Sequence, residues 1–175
     1  MSTKDDFTDE EWFLLSTLPP LLGSAVATID KSGMLGTFKE MSASMRAGMS
    51  AVRDHADNEL IQAIVHREGS LREAMSDSKE HRQKLIERAR DEGATTPERH
   101  AAQILGDCTA VADILENKTS PDEARGYKAW ACSIAQEVAE AAKEGGFGFG
   151  GGSVSEKEML LLDQIRDALR VNIDA

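Results

Sequence analysis

Aromatic side chains are scarce in this sequence: five phenylalanines, two tryptophans and one tyrosine among 175 residues. Sheets draw on aromatic and β-branched residues, so the shortage argues against a β-rich fold, while plentiful Ala, Leu, Glu and Met favour helix. Cysteine is scarcer still. Cys108 and Cys132 stand far apart, each within an amphipathic pattern. Two thiols so placed do not make a secretory disulfide framework; they read as buried, reduced side chains in a reducing compartment, the cytoplasm. Positive charge is also short, with 20 Lys and Arg against 31 Asp and Glu and a formal net charge of −11. Such a surface repels phosphate backbones and anionic headgroups, so nucleic acid and membrane are not the expected partners. The densest basic stretch, Arg82, Lys84, Arg88 and Arg90, is interleaved with Glu80, Glu87 and Asp91, the pattern of a solvated helix face.

A long unbroken apolar run is missing too. Trp12 to Ile29 carries no formal charge, yet Pro19 and Pro20 sit in its middle and Ser16, Thr17, Gly23, Ser24 and Thr28 dilute it. In lipid the donors that proline lacks would have no replacement, so the stretch reads as two core helices meeting at a corner, about Asp9–Leu18 and then Pro19 or Pro20 to about Asp30. The first eleven residues are polar and acidic, unlike a signal peptide, and residues 1–7 read as a flexible start to a single domain over 1–175.

What is present is helix punctuation. Thr8 with Glu11 has capping-box spacing, and Phe7 with Trp12 is spaced as a hydrophobic staple. Phe38, Met41, Met45, Met49 and Val52 form one helical stripe, with a turn before it at Asp30–Gly36 and a break after it near His55–Asn58. Leu60, Ile61, Ile64 and Val65 continue the helical period to about Glu68. Thr96-Pro97-Glu98 opens a long helix carrying Ala101, Ile104, Leu105, Cys108, Val111, Ala112 and Leu115. Ser120-Pro121-Asp122-Glu123 opens another with Ala124, Tyr127, Ala131, Ile134 and Val138 on one face, and the two predict an antiparallel helical hairpin. A Gly/Phe-rich loop over 145–153 precedes a final helix, which starts from Ser155 and Glu158, is stapled by Val154 and Met159, and carries Leu162, Ile165 and Leu169. The expected architecture is all-α, a bundle of six or seven helices.

Chemistry-bearing patterns are sparse. His55, Glu59, Gln62 and His66 fall at i, i+4, i+7 and i+11, so an unbroken helix would align His55, Glu59 and His66 as candidate ligands for a metal ion. The paired Glu-x-x-His motifs of di-iron bundles are absent, and no cofactor is predicted. The run Gly145 to Gly152 lacks the preceding strand of a dinucleotide loop and the lysine of a P-loop. Its Phe147 and Phe149 are candidate partner-binding side chains on a flexible tip.

The segments Ala141-Ala-Lys-Glu-Gly-Gly-Phe, Phe149-Gly-Gly and Val154-Ser-x-x-Glu158 resemble a recurring ending in small uncharacterised bacterial helical proteins, with further likeness in Gly33-Met-Leu-Gly-Thr-Phe-Lys-Glu40. The resemblance covers roughly the last third of the chain. It implies a helical fold and no activity. In size, acidity and helical content the chain is also similar to tellurite-resistance TerB-like bundles, without their acidic metal motifs, so no site residue carries over. The leading expectation is a non-enzymatic domain that engages a protein partner or forms a homodimer. A metal-binding or redox enzyme is the alternative, and a carrier of a small apolar ligand is the third reading.

Overall fold

The computed structural model describes residues 2–29, 55–65, 83, 84, 87, 90, 91, 93, 96–144 and 154–171. Among these the chain forms a short 3-10 turn, Lys4–Asp6, and five α-helices, with no strand. The helices are α1 (Asp9–Ile29), α2 (Glu59–Val65), α3 (Pro97–Lys118), α4 (Pro121–Glu144) and α5 (Glu156–Ala168). The all-α reading holds, whereas the Phe38–Val52 stripe and the 145–153 loop lie outside the described residues.

The capping chemistry forms as the spacing requires. Glu11 N–H donates to the Thr8 hydroxyl at 3.2 Å and Thr8 N–H to the Glu11 carboxylate at 2.7 Å, while the Phe7 and Trp12 rings lie 6.0 Å apart. Arg99 N–H donates to Thr96 Oγ1 at 3.3 Å above Pro97. Ser120 with Glu123 and Ser155 with Glu158 close complete boxes. Met159, expected in a staple with Val154, is instead 48% exposed.

One sequence expectation needs correction, at the two prolines. α1 is one continuous helix through Pro19 and Pro20, not two helices at a corner. A proline at position 19 cannot donate to the Leu15 carbonyl four residues back, and that carbonyl would be orphaned inside the core. The Tyr127 hydroxyl of α4 donates to it at 2.6 Å. Tyr127 is fully buried, as are Leu15 and Leu18 beside it on α1, so the replacement donor comes from tertiary packing. The Thr17 hydroxyl also donates back to the Phe13 carbonyl at 2.6 Å, a local adjustment common where helices carry prolines.

Residues 1–7 read from the sequence as a flexible start; of these the structure describes 2–7 and seats them against the bundle. Ser2 donates from its backbone N–H to Glu123 Oε1 at 2.9 Å and from its hydroxyl to Oε2 at 3.2 Å, and Phe7 is buried.

The core is a layer of α1 against α3 and α4, closed by α5, with α2 on α4. Leu22, Ala25 and Val26 of α1 meet Ile104, Val111 and Leu115 of α3 and Tyr127, Ile134 and Val138 of α4 in one buried cluster. Each fully buried leucine or isoleucine there contributes on the order of 1.5–3 kcal/mol by removal from water. α1 is long and apolar enough, by length and composition, to cross a membrane, with a mean hydropathy of 1.5 over its best window. Half of that window is buried inside the bundle.

The end of α5 shows an unusual device. Val171 N–H reaches the Arg166 carbonyl and Arg170 N–H the Asp167 carbonyl, the pair of bonds that glycine normally closes in a left-handed conformation. Arg170 occupies that conformation, at φ 53°. Its guanidinium binds Asp113 Oδ1 and Glu116 Oε2 of α3, both at 2.7 Å, and Glu116 also pairs with Lys128 of α4 at 3.2 Å. Strain at a side chain bearing a Cβ is therefore tied to a charged clasp over three helices. Arg170→Ala keeps the strain and loses the clasp, whereas Arg170→Gly loses both. Thermal denaturation is expected to rank the glycine variant above the alanine variant; the reverse order would mean that the left-handed turn stores no strain.

Candidate functional site

Among the described residues, two concave features bear on function. The first is a cleft of about 380 Å³ between the start of α2 and the start of α4, with His55, Asp57, Glu59, Asp122 and Glu123 on its walls. Asn58 builds it. Its carboxamide oxygen accepts from Ile61 N–H at 3.1 Å, capping α2, and its amide donates to the Glu123 carbonyl at 3.0 Å, fastening α2 onto α4. Gly126 leaves the space that the Asn58 amide fills, since a Cβ there would run into the amide nitrogen.

Glu123 is buried although it is ionisable. Burial alone would raise its pKa, but donation from Ser2 N–H and from the Ser120 backbone and hydroxyl outweighs this and holds it below the ordinary value of 4.5. The carboxylate is thus occupied by the protein's own donors.

His55 and Glu59, read from the sequence as ligands, do line one cleft. The unbroken helix that would have aligned them does not reach His55, which sits in a turn closed by Asn58 N–H on the His55 carbonyl at 3.0 Å. Gln62 of the same stripe donates to the His55 carbonyl at 3.1 Å. His66, Phe147 and Phe149 lie outside the described residues. Among the described residues no three His, Cys, Asp or Glu side chains converge as a metal set.

The two thiols are poor nucleophiles. Burial pushes Cys108 up to about 12 and Cys132 to about 11, from an ordinary 9.0. Two further units of protonation leave Cys132 about 100-fold less thiolate at neutral pH than a free cysteine, and Cys108 less again. Reaction of native protein with a chromogenic disulfide reagent should therefore be at least about 100-fold slower than that of denatured protein. A fast-reacting native thiol would contradict the burial. The Trp130 indole packs edge-on against Tyr127 at 5.6 Å, and its Nε1 is buried without a partner.

The second concave feature, missed in the sequence, is an open groove of about 530 Å³ between α3 and α5. Leu105, Gly106 and Thr109 form one wall and Gln164, Asp167 and Ala168 the other. Leu160 lies one helical turn before Gln164 on the same face of α5 and is 60% exposed. Small residues let another helix approach closely. The signal available in the sequence was Gly106 in the middle of a well-capped helix, where glycine costs about 1 kcal/mol relative to alanine.

No family model matches the chain, and neither does any curated protein or solved structure.

Proposed function

We propose that the protein is a soluble, cytoplasmic, non-enzymatic helical bundle that binds another protein by accepting an amphipathic helix in the α3–α5 groove. The observation carrying this reading is the open groove itself, with Gly106 and Ala168 in its facing walls and the exposed Leu160 one helical turn before Gln164 on α5. A large exposed leucine beside small residues offers an apolar anchor and a close-approach surface, the two requirements of helix-in-groove recognition. Charge selects the occupant. The charged lining residue is Asp167, and the chain carries −11 overall, so a helix with lysine or arginine flanking its apolar stripe fits better than a second copy of this acidic chain.

The test uses a fluorescent synthetic amphipathic helix of leucine and lysine and a scrambled peptide of the same composition. Fluorescence anisotropy should show binding of the periodic peptide only. Leu160→Asp and Gly106→Leu should each weaken it by about tenfold or more, equivalent to about 1.4 kcal/mol. At 60% exposure, Leu160→Asp should leave stability within about 0.5 kcal/mol of the parent. Equal binding of the scrambled peptide would reduce the effect to charge alone and sink the proposal. A two-chain mass in light scattering that Leu160→Asp converts to one would make a second copy the occupant instead.

A further inference from the structure

The polar ties of the segment Ser2–Phe7 to the bundle run to one carboxylate, Glu123, and one lysine, Lys118. Thr119 and Ser120 join α3 to α4, and a charged side chain stands on either side of that turn. On one side, Glu123 accepts from the Ser2 N–H and hydroxyl. On the other, Lys118 Nζ donates to the Asp6 carbonyl at 3.3 Å and pairs with Glu11 at 2.6 Å, while lying 5.9 Å above the Phe7 ring. Within the segment, Asp6 accepts from the Thr3 N–H at 2.7 Å and the Thr3 hydroxyl at 3.1 Å, which shapes the 3-10 turn. The segment's large apolar contact is Phe7 on Trp12, and both are buried.

We propose that Ser2–Phe7 is an acid-releasable strap: protonation of Glu123 breaks its carboxylate tie to the bundle, protonation of Asp6 loosens its own turn, and the strap lifts to uncover Trp12 while the helical bundle stays folded.

All three carboxylates are held below their ordinary range. For Glu123 burial opposes the shift, and the Ser2 and Ser120 donors outweigh it. For Glu11 the Lys118 hydrogen bond leads, and for Asp6 the Thr3 N–H. Groups with a depressed folded pKa stabilise fully above the unfolded value, and that contribution is lost as pH falls through the folded one. The strap is therefore secured above about 4.5 and loosens below it. The charged groups around Glu123 do not reverse that sign. Asp6 faces it from the strap, Asp122 belongs to its own helix, and His55, Asp57 and Glu59 share its cleft. Like charge on the carboxylates among them favours, and does not oppose, proton uptake by Glu123. The bundle has a separate reserve, because Leu15, Leu22, Val111, Tyr127 and Ile165 are buried without any ionised partner.

The two tryptophan indoles make the experiment self-controlled, since Trp12 reports the strap and Trp130 the core. In a 15N-correlated NMR titration of the full chain from pH 7 to 3, the Trp12 indole signal is expected to move to its solvent-exposed position below about 4.5. The Trp130 signal and the helical circular dichroism should hold. Ser2→Pro removes both the backbone and the hydroxyl donor to Glu123 without touching the bundle and should place the Trp12 signal at the released position already at neutral pH; Glu123→Gln should shift it the same way. Simultaneous movement of both indoles, no movement of Trp12 by pH 3, or an unchanged Trp12 signal in Ser2→Pro would each overturn the proposal.

Discussion

Tyr127→Phe is expected to destabilise the protein by about 1–3 kcal/mol, the cost of an unsatisfied buried acceptor and above the roughly 1 kcal/mol net worth of a typical hydrogen bond. The reason lies on the facing helix. The Leu15 carbonyl is deprived of its helical donor by Pro19, and the Tyr127 hydroxyl is its partner at 2.6 Å. Removing the hydroxyl leaves a buried acceptor unsatisfied, which costs its desolvation and not merely the net worth of a hydrogen bond. A double-mutant cycle isolates this. Pro19→Ala returns an N–H to the position that can reach Leu15, so in that background Tyr127→Phe should cost about 1 kcal/mol or less. Chemical denaturation of the four proteins gives the coupling directly. Equal costs in both backgrounds would show that the hydroxyl does not serve the carbonyl that proline frees. Tyr127 itself should stay protonated throughout, because burial raises its pKa well above the ordinary 10.0.

That pair also marks where the sequence could be read and where it could not. Helix starts were legible because a capping box is a local device: Thr8 with Glu11, Ser120 with Glu123 and Ser155 with Glu158 each settle their own amides within four residues. Core faces were legible for the same reason, since Ile104, Cys108, Val111 and Leu115 repeat at the helical period and all are buried. The continuity of α1 was not legible. Pro19 and Pro20 read locally as a break, and the donor that serves the carbonyl freed by Pro19 lies 112 residues away in sequence. The seating of Ser2 on Glu123 is equally non-local, at a separation of 121 residues. Of the candidate ligands, His55 and Glu59 line one cleft, but a turn and a cap place them there and not the single helix that their spacing implied. The α3–α5 groove depends on what α5 leaves uncovered, which no single segment reveals. Its residues, Leu105, Gly106, Gln164 and Ala168, come together only in the packed chain.

Glycine in the middle of a helix looks alike at positions 106 and 126, yet alanine should act in opposite directions there. A Cβ at Gly106 meets nothing within 4 Å, and the helical backbone already suits alanine. Gly106→Ala should stabilise by about 0.5–1 kcal/mol, since it restricts the unfolded chain and improves helix propensity at no steric cost. A Cβ at Gly126 collides with the Asn58 amide nitrogen, and the obstruction is not a flexible tip. Asn58 is buried and held at both ends, by Ile61 N–H on its oxygen and by the Glu123 carbonyl on its nitrogen, so it cannot swing away without uncapping α2. Gly126→Ala should cost about 1–3 kcal/mol through this overpacking, despite the better propensity of alanine. The cost should be shared with Asn58. Asn58→Ala alone should lose about 1–2 kcal/mol from the missing cap and cross-helix bond, and Gly126→Ala added to it should then cost little. Urea denaturation of the single and double variants separates the cases. If Gly126→Ala stabilises as Gly106→Ala does, Asn58 does not occupy the space above α4, and the fastening of α2 to α4 through that side chain is wrong.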